Sequence, residues 1–109
     1  MYAVDRSAVV IRMKQPYLDW TNSLPDSDEM TLDELNWDNN TYMIPEYDTL
    51  AHLKSILQEF YTDIFEEELR AWYRDEKAWP QVRDYQTFKK WFEVEPHSLV
   101  FDLLDQNDE

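Results

Sequence analysis

The sequence predicts an α+β fold: a small three-stranded sheet packed on one face by helices, in the order β-α-α-β-α-α-α-β. Three observations lead there. Short β-branched or apolar runs stand near both ends of the chain and at 41–45, each bounded by Pro or Asn. Between them apolar residues recur at helical spacing, most persistently from Leu50 to Trp72. A length of 109 residues, 43% of them hydrophobic and 16% aromatic, suits one domain over 1–109 with one core.

The elements follow in order. Ser7 to Lys14, SAVVIRMK, reads as a mostly buried strand. Pro16 fits the first turn of a short helix, where its missing N–H has no partner to lose. Tyr17, Leu18, Trp20 and Thr21 make the inner face of that helix, which ends before Leu24-Pro25. After a loop at 25–30, Thr31 and Glu34 have the spacing of a capping box, with Leu32 and Leu35 turned inward. Asp38-Asn39-Asn40 reads as a turn. In a chain without Gly, Asn is best suited to positive φ there. Thr41 to Pro45 reads as a short strand that sits at an edge or stops at the proline.

Asp48 is placed to cap the next helix, whose stripe runs Leu50, Leu53, Ile56, Leu57, Phe60, Ile64 and then Phe65, Leu69, Trp72. The shift near Thr62-Asp63 predicts a kink, or two abutting helices over 49–61 and 63–74. Trp79-Pro80 falls in a loop. Asp84 to Phe92 reads as a helix with Tyr85, Phe88, Trp91 and Phe92 inward, broken by Pro96. Ser98 to Leu104, SLVFDLL, reads as the last strand, central beside the first. Residues 105–109 read as a frayed acidic tail. The expected core is Val9, Ile11, Leu53, Leu57, Phe60, Ile64, Leu69, Phe88, Trp91, Val100 and Phe101.

Charge is the most pronounced property of the sequence: −14, with no Gly and no Cys. It is unevenly spread. Residues 26–48 hold eight acidic and no basic side chains. The absence of Gly excludes a Walker loop, a dinucleotide fingerprint and a G-x-S-x-G elbow. The absence of Cys excludes disulfides and thiolate metal sites. The N-terminus lacks the pattern of a signal peptide and no apolar run approaches membrane-spanning length, so a cytoplasmic location is expected. Such acidity argues against direct nucleic-acid binding and against a membrane surface.

Few constellations carry chemistry. Glu66-Glu67-Glu68 fan out by about 100° per residue on a helix, and Arg70 can pair with Glu66 and Glu67, so a solvated face is expected. Asp26, Asp28, Glu29, Asp33 and Glu34 fail the EF-hand pattern, because Thr31 and Trp37 stand where it needs Gly and Glu. His52 and His97 form no zinc motif, and His97 and Ser98 would point to opposite faces of a strand. No cofactor, metal or catalytic residue is expected. Trp20, Trp72 and Trp91 read as core. Trp37 and Trp79 lie at loop edges among polar residues, where an exposed Trp typifies a binding hot spot.

The segments RSAVVI, QPYLDW, TYMIPE, DIFEEELRAWY, WPQVRDYQTFKKWF and HSLVFDLLD resemble a type of small, acidic, uncharacterised bacterial protein. The resemblance implies a whole bacterial protein rather than a fragment and brings no activity with it.

These readings point to a non-enzymatic binding or regulatory module that presents a carboxylate-rich face to a basic protein partner, with nucleic-acid mimicry as its sharpest form. The expected partner-binding residues are Asp26, Asp28, Glu29, Asp33, Glu34, Trp37, Asp38 and Trp79. The alternatives are a small hydrolase-type enzyme using a carboxylate pair and an acidic housekeeping protein without a dedicated ligand.

Overall fold

A computed structural model describes residues 1–104. The expected acidic tail at 105–109 lies outside the described residues. Five strands and four helices follow one another: β1 (Tyr2–Ala3), β2 (Ser7–Met13), α1 (Gln15–Ser23), α2 (Leu32–Leu35), β3 (Thr41–Ile44), α3 (Leu50–Trp72), α4 (Tyr85–Trp91), β4 (Phe92–His97) and β5 (Phe101–Asp102). A single 3-10 turn, Glu76–Ala78, lies between α3 and α4. The fold is α+β, with a three-stranded antiparallel sheet in the order β3-β2-β4 and a separate ribbon of β1 and β5.

The β-branched run at 7–13 takes the central place because both of its edges can be paired. Its ladder alternates. Ile11 N–H donates to Asn40 C=O at 3.1 Å and Lys14 N–H to Trp91 C=O at 2.9 Å, so odd residues of β2 bond toward β3 and even ones toward β4. Side chains alternate in step. Ser7, Val9 and Ile11 are fully buried against the helices, with Tyr42, Ile44, Phe92 and Val94 beside them on that face. Ala8, Val10, Arg12, Met43, Glu93, Glu95 and His97 share the other face.

The last strand of this sheet is 92–97, not the expected 98–104. Pro96 does not break a helix; it lies inside β4, opposite Val9. The alternation turns the Pro96 nitrogen away from β2, to the outer edge, where a missing N–H costs no ladder bond. The apolar run after it reaches only the short β1–β5 ribbon, which buries little. Phe101 is 53% exposed, and Leu99, Leu103 and Leu104 are exposed too. Val100 is half-buried. Neither Val100 nor Phe101 belongs to the core.

The core that does form is aromatic. Tyr17, Phe65, Phe88 and Phe92 are all but inaccessible. Their rings meet edge-on or tilted, Phe65–Phe92 at 5.1 Å, Phe88–Phe92 at 5.2 Å and Tyr17–Phe92 at 5.5 Å between centroids. Val9, Ile11, Leu53, Leu57, Ile64, Leu69 and Phe88 are buried as expected, while Phe60 and Trp91 pack half-buried at the margin. Trp20 is core; Trp72, at 40% exposure, is not.

Three further expectations need correction. The helix 50–72 is continuous, because its core face moves gradually around the axis from Leu53 to Leu69 and no residue interrupts its backbone bonds. Thr49, not Asp48, caps it, its hydroxyl accepting from His52 N–H at 3.1 Å. Among the described residues positive φ occurs at Asp26, at 58°, not in the 38–40 turn. Asp is among the few non-Gly residues that tolerate that region.

Glu68 is the other departure. Only two of the Glu66–Glu68 triplet reach solvent; Glu68 is 2% exposed. Its carboxylate accepts from the Tyr42 hydroxyl at 2.5 Å and Asn40 Nδ2 at 3.0 Å, and its backbone carbonyl accepts from the Tyr17 hydroxyl at 2.7 Å. Burial pushes the Glu68 pKa above the usual carboxylate range, although the bonds from Tyr42 and Asn40 pull it down. Burial, then the bond to Glu68, holds the Tyr42 phenol high as well.

Candidate functional site

The acidic segment 26–48 is tied to β2 through β3, and ahead of β3 two asparagine side chains fasten it to the body. Asn22, on α1, accepts from Met30 N–H at 3.0 Å and donates to Met30 C=O at 3.3 Å. Asn36, at the C-cap of α2, accepts from Met13 N–H at 2.8 Å and donates to Met13 C=O at 3.0 Å. Each amide pairs with the backbone as a peptide unit would. Asn39 Nδ2 adds a bond to Asn36 Oδ1 at 2.9 Å. Between these clamps α2 starts at the expected capping box: Thr31 Oγ1 accepts from Glu34 N–H at 3.2 Å, and Glu34 Oε1 accepts from Thr31 N–H at 3.1 Å.

This scaffold presents Trp37 to solvent. The residue is 86% exposed, while Trp37 N–H is tied to Glu34 C=O at 3.3 Å. Asp26, Asp28, Glu29, Asp33, Glu34 and Asp38 are all exposed on the same segment. Among the described residues no ion pair reaches any of them; the pairs that do form involve Asp5, Glu67 and Glu95. Glu34 alone is partly committed, to the capping box.

Trp79 does not share that surface. It is 3% exposed, its Nε1–H donates to Tyr73 C=O at 2.7 Å, and the guanidinium groups of Arg70 and Arg83 lie 5.8 and 5.7 Å from its ring centre. The loop around 73–83 folds over the ring and the two cations cover it. The expectation of an exposed Trp79 anchor is therefore corrected: Trp79 is a core residue.

Neither histidine is built into a nucleophilic site. His52 is exposed on α3. His97 Nε2 lies 2.8 Å from Glu95 Oε2, and the Arg12 guanidinium lies 3.2 Å from Glu95 Oε1, all on the open face of the sheet. His97, then Arg12, hold the Glu95 carboxyl below its usual range. Ser98 faces Ser7 through its C=O, which accepts from Ser7 Oγ at 3.0 Å. Among the described residues no three His, Cys, Asp or Glu side groups converge as a metal site would require, and no helix is long and apolar enough to cross a membrane.

The residues missed from sequence are Asn22 and Asn36, which position the acidic segment. An Asn directly after a capping-box helix is a signal for Asn36; nothing local distinguishes Asn22. Searches against protein-family models, curated proteins and solved structures find no match to this sequence.

Proposed function

We propose that the protein is a non-enzymatic binding module that offers the carboxylate-rich segment 26–48 to a basic partner, with Trp37 as the anchor. The observation that carries this reading is Trp37 itself, 86% exposed on a turn locked by Asn36. The main chain beneath the ring is already fixed, through Trp37 N–H to Glu34 C=O and Asn36 to Met13, so little backbone freedom is lost on binding, and the acids of the same segment lack internal counter-charges. Mimicry of a nucleic acid by carboxylates on this scaffold is the narrower form: exposed acids would occupy phosphate sites on a DNA- or RNA-binding protein. The acids would act on encounter and the ring on residence, because steering works over about 8 Å in physiological salt while ring burial works at contact.

The test is capture from the source cells at low and high salt, followed by binding kinetics with the basic protein recovered. Asp28→Lys with Asp33→Lys should slow association and flatten its salt dependence. Trp37→Ala should chiefly speed dissociation. Binding indifferent to salt, charge reversal and Trp37 would overturn the reading.

A further inference from the structure

β3 forms one edge of the sheet, and it is an open edge. The ladder alternation spends Tyr42 and Ile44 on β2, so the backbone N–H and C=O groups of Thr41 and Met43 point the other way. Among the described residues no loop backbone or side group bonds to them. The opposite edge is blunted by Pro96, as exposed sheet edges commonly are. On β3 the proline, Pro45, comes only after the strand has ended.

Beneath this edge runs a groove. A cavity of about 270 Å³ lies between β3 and α3, lined by Tyr42 to Pro45 on one side and by Phe60, Asp63, Ile64 and Glu67 on the other. Tyr42 and Ile44 face the helices while Met43 faces the opposite side of the sheet, so a groove touching all three follows the outer margin of the strand. The four α3 residues are at i, i+3, i+4 and i+7 and form one stripe along the helix. Its floor is apolar, through Phe60 and Ile64. Its outer wall is anionic, through Asp63 and Glu67, both exposed. Arg70 contacts Glu67 at 3.5 Å in an exposed pair that another cation can replace.

We propose that the β3 edge and this groove take an extended, lysine- or arginine-bearing segment of a basic partner as an added fourth strand. The open N–H and C=O row supplies backbone affinity and the groove supplies residue selection, as in strand addition generally. The volume is below the ~300–1,000 Å³ of pockets that enclose a small ligand and suits individual side groups instead. Residues two apart on the added strand point the same way. An aliphatic one would lie on Phe60 and Ile64, and a cationic one would reach Asp63 and Glu67. A second copy of the protein is disfavoured as occupant, because each copy has a charge of −14. The proposal shares with the preceding reading the sign of the partner's charge and the segment that contains β3, but its contacts are the β3 edge and α3, not Trp37 and the acids of 26–38.

The probe is an N-acetylated, C-amidated peptide, Thr-Val-Thr-Lys-Thr-Val-Thr, titrated into the full-length protein and followed by amide NMR shifts and hydrogen exchange. Saturable shifts and slowed exchange at Thr41 and Met43 are expected. Replacing the peptide lysine by Glu should weaken binding at least tenfold, as should Asp63→Lys with Glu67→Lys in the protein. Met43→Pro should abolish binding while leaving the outward-facing position tolerable to the fold. If that variant does not fold, the charge pair and the Glu peptide decide alone. Trp37→Ala should leave this binding unchanged whether or not the Trp37 surface has a partner. Equal affinity for the Lys and Glu peptides, shifts confined to the Trp37 turn, no saturation at millimolar peptide, or blockage of the edge by self-association would each overturn the proposal.

Discussion

The side-group amide of Asn36 continues the β2–β3 ladder by one rung past Asn40, pairing with Met13 N–H and C=O at 2.8 and 3.0 Å. Met13 is the odd residue after Ile11, so its backbone faces the β3 side, but the polypeptide there has already turned into α2. The amide stands in for the missing peptide unit. Asn36, with Arg12 Nη1 donating to Asn39 Oδ1 at 3.3 Å, joins the sheet to the turn that holds Trp37.

Asn36→Ala leaves a donor and an acceptor of Met13 without their partner. The expected cost is about 1–3 kcal/mol, read from urea unfolding. Asn22→Ala, which frees Met30 in the same way, should cost a similar amount. A loss below about 0.5 kcal/mol at both sites would mean that water replaces the amides without penalty and that the segment is held by other contacts.

Glu68 gives a pH dependence of predictable sign. Its folded pKa is raised, chiefly by burial. From the ordinary carboxylate range up to that raised value, the folded state holds more protons than the unfolded one. Stability contributed by this group is therefore present at low pH and falls as pH rises through the window. Asp84 and Glu95 run the other way. The Thr87 N–H bond to Asp84 and the His97 contact with Glu95 lower those pKa values, so their contributions fade as pH drops. Glu68→Gln isolates the first effect. The amide oxygen can still accept from Tyr42 and Asn40, so the variant should gain on the wild type as pH rises through the window. Parallel plots of melting temperature against pH would sink this assignment.

Much of the fold is legible from local rules, and the misreadings share one cause. Thr31 with Glu34, and Pro16 at the start of α1, are signals complete within a few residues, and both occur as expected. The 98–104 run is a different case. Its apolar content resembles a central strand, yet the place beside β2 goes to Phe92–His97, which contains two Glu and a Pro. Phe92 and Val94 fall on the buried face, Glu93 and Glu95 on the open one, and the Pro96 nitrogen faces the outer edge. Ladder parity accommodates what composition alone would forbid, and parity depends on the partner strand. Glu68 is equally illegible: its donors, Tyr42 and Asn40, stand 26 and 28 residues away. At the candidate site, the density of charge and the exposure of Trp37 follow from sequence. The burial of Trp79 does not, because Arg70 and Arg83 reach it from separate elements.

The displaced C-terminal run has a measurable consequence. Phe101→Ala should cost less than about 1 kcal/mol, since more than half of the residue already meets solvent. Phe65→Ala, at the inaccessible centre of the ring cluster, should cost about 3–5 kcal/mol. Comparable losses at the two positions would require a core quite unlike the one formed around Phe92.

The two loop-edge tryptophans should separate just as clearly, and the Trp37 surface can be probed without a partner. Trp79→Ala removes a buried ring with a bonded Nε1 and should cost about 3–5 kcal/mol. Trp37→Ala should fall within about 0.5 kcal/mol of the wild type, because its ring is in solvent. Subtracting the emission of Trp37→Phe from that of the wild type isolates the Trp37 signal, which should peak at the long wavelength of a hydrated indole. Its quenching should depend on the quencher's charge. Asp33, Glu34 and Asp38 are near the ring in sequence and lack ion-pair partners among the described residues. Caesium should therefore quench Trp37 more efficiently than its collision rate alone implies, and iodide less. The contrast should shrink as salt shortens the Debye length from about 30 Å at 0.01 M to about 3 Å at 1 M. Asp33→Lys with Asp38→Lys should reduce or reverse it at low salt. A quenching ratio insensitive to both salt and these substitutions would mean that the ring does not sit in a negative field, and the electrostatic half of the binding reading would fail with it.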